Sequence, residues 1–235
     1  MVMTLKGVES RLEKKLIPYM EQQGFKEVYS IEFQKEPFET TVSFNVKKNF
    51  FDFNVQSIVG RLYRTIDDIW VKYRYILGKE NHPYPPTIGF VRTAIDPALE
   101  RNPHLLGLGE GREEIKTEED IDKYVELFET EYETLYCPFL KETEDVRWLD
   151  KRLNGDPHIF GKSSPGISRM GVEFRKIIIA RLAGNPDYEV ICQVVRNYIL
   201  TEFPGEEYMK KVFVVFEKVY EDLKQVEPLK DTLLS

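Results

Sequence analysis

Residues 26–59 read KEVYSIEFQKEPFETTVSFNVKKNFFDFNVQSIV, and the period of this stretch decides the fold. Over Lys26–Lys35, Tyr29, Ile31 and Phe33 alternate with Val28, Ser30, Glu32 and Gln34. Phe38, Thr40, Val42, Phe44 and Val46 continue the alternation, and Phe51, Phe53, Val55, Ser57 and Val59 close it. A period of two in β-branched and aromatic residues predicts half-buried strands, because successive side chains point to opposite faces. The breaks at Glu36-Pro37 and Lys47–Asn49 are short enough for hairpins. The expectation is an antiparallel meander with one wet face.

On either side of this stretch the period becomes helical. Before it, Leu5, Val8, Leu12, Leu16, Ile17 and Met20 share one face of a helix over 4–23, with Gly24 at the C-terminal cap position. Pro18 interrupts that pattern and predicts a kink or a break. After it, Thr65-Ile66-Asp67-Asp68 has the form of a capped helix start, followed by Ile69, Trp70 and Tyr73. His82-Pro83-Tyr84-Pro85-Pro86 ends that unit, and Thr87–Ile95 reads as a fourth strand. Residues 96–116 read as an exposed loop.

From 117 onward the chain reads as helical. Thr117-Glu118-Glu119-Asp120 repeats the capping form, and Ile121, Tyr124, Val125, Phe128, Tyr132 and Leu135 make the buried stripe up to Pro138, the expected end. A short helix at 143–153 and a loop at 154–167 follow. Three more helices are expected at Ser168–Ala183, Pro186–Phe203 and Gly205–Val226. Strands early and helices late define an α+β fold: an antiparallel sheet of about four strands with flanking helices, then a helical C-terminal portion. The organisation expected is an α+β unit over 1–95 and a helical portion over 117–235. That portion either packs on the sheet as one domain or stands apart, with 96–116 as the boundary.

Composition limits the function. The 235 residues carry 40 acidic and 33 basic side chains, a net charge of −7, with 42% apolar and 13% aromatic residues. This is the make-up of a folded chain with a real core. No apolar run is long enough for a transmembrane helix, and the first residues lack a signal peptide's apolar segment. Cys137 and Cys192 form no metal knuckle or disulfide framework, so the expected address is the cytoplasm. Net acidity argues against nucleic acid, whose phosphates call for clustered Lys and Arg. The charge is regional: residues 110–150 hold 15 acids against 5 bases, leaving 25 against 28 elsewhere.

The chemical motifs are incomplete. Gly155-Asp156-Pro157-His158-Ile159-Phe160-Gly161-Lys162-Ser163 has five residues between its glycines, where a phosphate-binding loop has four and follows a strand. Gly107-Leu108-Gly109-Glu110-Gly111 leads into carboxylates that would repel a phosphate. The histidines, His82, His104 and His158, lack the spacing of a metal site, and no metal or cofactor is expected. Ser163 fails the nucleophile elbow because Pro165 stands at its last position. Cys192 falls on an apolar helix face and reads as core. Asp96 with Glu114-Ile115-Lys116 matches the letters of a metal-dependent nuclease, but Glu114 is expected in a loop.

Two charged surfaces remain. Asp122, Glu126, Glu129 and Glu133 form a row of carboxylates opposite the buried stripe. Like charges at this spacing cost a few tenths of a kcal/mol per pair, so local helix stability does not favour the row. Its functional reading is a docking face for a basic protein. The 151–181 stretch is basic, with Lys151, Arg152, Lys162, Arg169, Arg175, Lys176 and Arg181 against Asp156 and Glu173. Pairing with the acidic segment is the favoured expectation there. A ligand or anion site around the 155–166 loop, with His158, Lys162, Ser163, Arg169 and Arg175, is the alternative.

Gly24-Phe25-Lys26 after the first helix, Phe33-Gln34-Lys35, Phe44-Asn45-Val46, Phe53-Asn54-Val55, the Thr65–Ile69 helix start and the Glu118–Phe139 helix together resemble a known group. They are similar to uncharacterised bacterial α+β domains with a "GFK" turn after the first helix. Some of those domains are candidate immunity proteins of toxin systems. The resemblance spans roughly residues 8–150 and brings no catalytic residues with it. It implies a non-enzymatic, immunity-like interaction protein of the bacterial cytoplasm. The alternative is an enzyme or small-molecule binder at the 155–166 loop.

Overall fold

A computed structural model describes residues 3–35, 40–50, 52–78, 87–90, 113–160, 171–201 and 206–234. The protein is α+β, with an antiparallel sheet, flanking helices and a helical C-terminal part. The chain forms two compact units, Met1–Arg61 with Ile88–Leu140, and Leu62–Thr87 with Lys141–Ser235.

The first unit opens with α1 (Leu5–Gln22), whose N-terminus is capped by the Thr4 hydroxyl accepting from the Gly7 N–H. Pro18 does not interrupt it. The lost ladder hydrogen bond is offset because Leu16 and Met20, on either side, are both fully buried. Gly24, at φ 82°, then turns the chain out of the helix, and the Phe25 N–H reaches back to the Met20 carbonyl.

The sheet runs β1 (Lys26–Tyr29), β2 (Glu32–Lys35), β3 (Thr40–Lys48), β4 (Phe53–Arg61) and β5 (Ile88–Phe90) in that order. A sixth strand, β6 (Glu113–Ile115), also pairs with β4. It takes the Phe53–Val55 end, while β5 takes the Val59–Arg61 end. Two expectations are corrected here. Lys26–Lys35 is a hairpin of two strands, not one strand. The turn places Ile31 at φ 54°, costly for a β-branched residue, yet its side chain is only 7% exposed. Burying an isoleucine contributes about 1.5–3 kcal/mol, which outweighs the roughly 1–2 kcal/mol of the left-handed backbone. Also, the end of the 96–116 loop is strand β6, held by buried Ile115 opposite Phe53; residues 91–112 lie outside the described ones. The second face of the sheet is less wet than expected, with Thr41, Ser43 and Asn45 half-buried and Gln56 buried.

After Thr117 comes α3 (Glu118–Glu131), and the expected capping box is present: Thr117 accepts from the Asp120 N–H and Asp120 from the Thr117 N–H. Pro138 does not end this helix. A π turn over Tyr132–Tyr136 carries the chain into α4 (Cys137–Glu142). A widened turn accommodates the missing proline N–H and its ring, and buried Tyr132 and Tyr136 fix the path. The core is aromatic, with Phe44 and Phe128 edge-to-face at 4.8 Å and Phe25, Phe33, Tyr19 and Tyr132 around them.

The second unit contains α2 (Arg64–Val71), a 3₁₀ turn (Arg74–Leu77), α5 (Val146–Asn154), α6 (Val172–Ala183), α7 (Tyr188–Thr201) and α8 (Glu207–Leu223). The last three match the expected helices with tighter bounds; residues 161–170 and 202–205 lie outside the described ones. The expected Thr65 cap is not formed, since α2 begins at Arg64 after Tyr63 and has no side-chain cap. Helix α6 is buried almost all round, from Phe174 to Ala180 without a gap. A helix apolar on every side belongs inside a core, and α6 packs against α2, α5, α7 and α8. The C-terminal segment closes the unit: the Leu234 N–H donates to the Glu144 carbonyl, the Val146 N–H to that of Thr232, and Leu234 is buried.

Candidate functional site

The acidic row lies along α3 and the π turn that follows it in the first unit, where Asp122, Glu126 and Glu133 are exposed and Glu129 is half-buried. Helix α1 runs beside it and presents Arg11, Lys15 and Tyr19 at matching four-residue steps. Arg11 pairs with Glu118 at 2.7 Å and Lys15 with Asp122 at 2.5 Å. Farther along, the Tyr19 hydroxyl lies 3.2 Å from the Glu129 carbonyl and 3.5 Å from the Glu133 carboxylate. The row is thus divided. Its first member, Asp122, is neutralised within the unit. Among the described residues no lysine or arginine pairs with Glu126, Glu129 or Glu133. The Tyr19 hydroxyl is raised well above its usual range, first by burial and then by the charge of Glu133.

The residues of the 155–166 alternative do not converge in what is described. Lys162, Ser163 and Arg169 lie outside the described residues. His158 is exposed, and its backbone N–H is held by Asp156. Arg175 is fully buried and bonded to Asp67, at 2.9 Å through Nε and 2.7 Å through a terminal nitrogen. Asp67 also accepts from the Trp70 indole at 2.7 Å and from the Thr87 hydroxyl. Of the cations described in the basic stretch, Arg175 and Arg181 find partners outside the 110–150 segment. Arg175 takes Asp67, and Arg181 donates to the Val226 carbonyl. Lys176 donates to the Leu153 carbonyl near Asp150, and burial pushes its ammonium down to about 8. The signal for this buried network was in the sequence: the adjacent cations Arg175 and Lys176 inside the largely apolar run VEFRKIIIARLA. A buried charge calls for a partner.

Sequence reading did not anticipate a pocket of about 90 Å³ where α2, the 3₁₀ turn, α6 and α8 meet. Its walls include Trp70, Phe174, Tyr208 and Val212, with Glu173 and Arg74 as charged groups. Gly171 precedes α6 at φ 77°, and a Cβ there would come within 2.7 Å of the Trp70 ring, so glycine allows this close approach. Trp70 and Phe174 lie 5.2 Å apart. Burial raises the Glu173 carboxyl above its usual range. It also raises the Tyr208 phenol, to which the charge of Glu173 adds.

Of the remaining motifs, Cys192 is buried as expected, and its thiol is pushed up to about 12 by burial. Glu114 stands on strand β6 rather than in a loop. Its carboxylate takes Lys116 at 2.7 Å, with Asp52 beside it. All three are solvent-exposed or nearly so, and Asp96 lies outside the described residues. Among the described residues, no three His, Cys, Asp or Glu side chains are grouped to hold a metal ion. No helix among them is long and apolar enough to cross a membrane.

Fold and surfaces together define an α+β protein with an acidic helix face in one unit and a small aromatic pocket in the other. No protein-family model, no curated protein and no solved structure matches the chain.

Proposed function

We propose that this chain is a non-enzymatic interaction protein of the bacterial cytoplasm, immunity-like in kind. It would bind a basic protein partner through Glu126, Glu129 and Glu133 of the acidic row. The observation that carries the reading is Glu126, Glu129 and Glu133, displayed together without a cationic partner among the described residues. Carboxylates without a cationic partner, beside one already neutralised, have no evident role in stability. They suit electrostatic steering and selection of a partner. The resemblance of residues 8–150 to immunity-like domains supports the same class. The free thiols of Cys137 and Cys192 suit a reducing compartment. The rival site around 155–166 has less support, because Arg175 is spent on Asp67.

The test is capture from the native host with the wild type and with a Glu126→Lys/Glu129→Lys variant of unchanged circular dichroism. The expected result is a basic protein whose retention falls at least tenfold on charge reversal and also weakens in high salt. Retention of every partner by the variant would refute the docking face.

A further inference from the structure

The second unit carries a feature that the acidic face does not use. The pocket at the start of α6 combines three aromatic side chains, Trp70, Phe174 and Tyr208, with one carboxylate, Glu173. Aromatic faces carry negative potential and attract cations, and a carboxylate in the same pocket adds a counter-ion. Glu173 sits in the first turn of α6, half-buried, with no lysine or arginine paired to it among the described residues. The charge of Arg175 acts on it, but that guanidinium is already committed to Asp67. Arg74 lines the same pocket, but it is buried and has interactions of its own. An anionic ligand would have to approach Glu173; a cation would pair with it, keeping clear of Arg74 and of the Arg175 guanidinium, which already lies 5.6 Å from the Trp70 ring centroid.

Size narrows the class. An apolar cavity of roughly 150 Å³ holds benzene, so about 90 Å³ suits a head group of a few heavy atoms. Tyr208 is 46% exposed and marks the mouth, so the rest of a longer ligand can extend into solvent.

We propose that this pocket binds the ammonium end of a small aliphatic amine, with Glu173 as counter-ion and Trp70, Phe174 and Tyr208 as walls. The full chain is titrated with n-propylammonium chloride and followed by two-dimensional NMR at pH 7, with propan-1-ol and sodium acetate as neutral and anionic controls. The expected result is saturable shifts around Trp70 and Phe174 with the ammonium ion, and at least tenfold weaker binding of both controls. Glu173→Gln should weaken ammonium binding at least tenfold. Tyr208→Ala, at an exposed position that tolerates truncation, should weaken it several-fold and keeps the test open if the first variant does not fold. Absence of saturation in the wild type, acetate binding as tight as the amine, or wild-type affinity in either folded variant would each overturn the proposal. None of these outcomes touches the acidic face of the other unit.

Discussion

Substituting Arg175 by methionine probes the centre of the second unit. Arg175 and Asp67 are both 0% exposed and share two hydrogen bonds of 2.7 and 2.9 Å. Methionine keeps much of the side-chain volume, so little cavity is created, but it leaves the Asp67 carboxylate in the core. Among the described residues, the Trp70 indole and the Thr87 hydroxyl would then remain to solvate it. Breaking a buried pair by removing one member costs about 3–5 kcal/mol. At a urea slope of about 2 kcal/mol per M, the midpoint should fall by about 2 M. The chain's two tryptophans, Trp70 and Trp148, both belong to the second unit, so fluorescence reports its unfolding directly. Adding Asp67→Asn removes the stranded charge while leaving an acceptor for the indole. The double variant should recover about 2 kcal/mol of the loss, a coupling within the range of contacting residues. A cost below about 1 kcal/mol for Arg175→Met, or a double variant no more stable than the single one, would refute the view of this pair as a charge-compensated core.

Three other outcomes are expected. Lys176 is buried and its ammonium is lowered to about 8, so between there and its unfolded value near 10.5 the unfolded chain holds more protons. Stability from this group should therefore rise with pH across that window, and Lys176→Met should remove that part of the slope in urea melts at pH 7.5, 9 and 10. Gly171→Ala should cost about 2–5 kcal/mol in the same fluorescence melt, because a left-handed backbone and a clash with the Trp70 ring add together. Cys192, buried with its thiol pushed up to about 12, should resist iodoacetamide at pH 8 in the native protein and react in urea, read by mass spectrometry.

What was legible in the sequence was local. The stripe Val8, Leu12, Leu16 and Met20 marked α1, and Thr117 with Asp120 marked the start of α3. Positions where two local signals compete were misread. Ile31 continues an alternating pattern, yet it forms the turn between two strands. Pro18 and Pro138 are helix breakers in isolation, but buried neighbours and a π turn carry the chain past both. Asp67 looked like part of a helix start, because a capping acid and a core acid have the same letter. Of the surfaces, the carboxylate row was visible because helical spacing places it on one face. That Asp122 is paired while the other three lack a cation was not visible, since Lys15 lies over a hundred positions earlier in the chain.

The period of two over 26–59 and the helical period elsewhere therefore determined by themselves that this is an α+β chain, because side-chain direction follows from backbone geometry within a few residues. Tertiary structure alone decided where the charges go. It brought Asp67 to Arg175 across 108 positions and set Glu173 in a pocket with three aromatic rings, without an ion-pair partner among the described residues. Whether a charge is paired depends on which segments meet in space, and no local period records that.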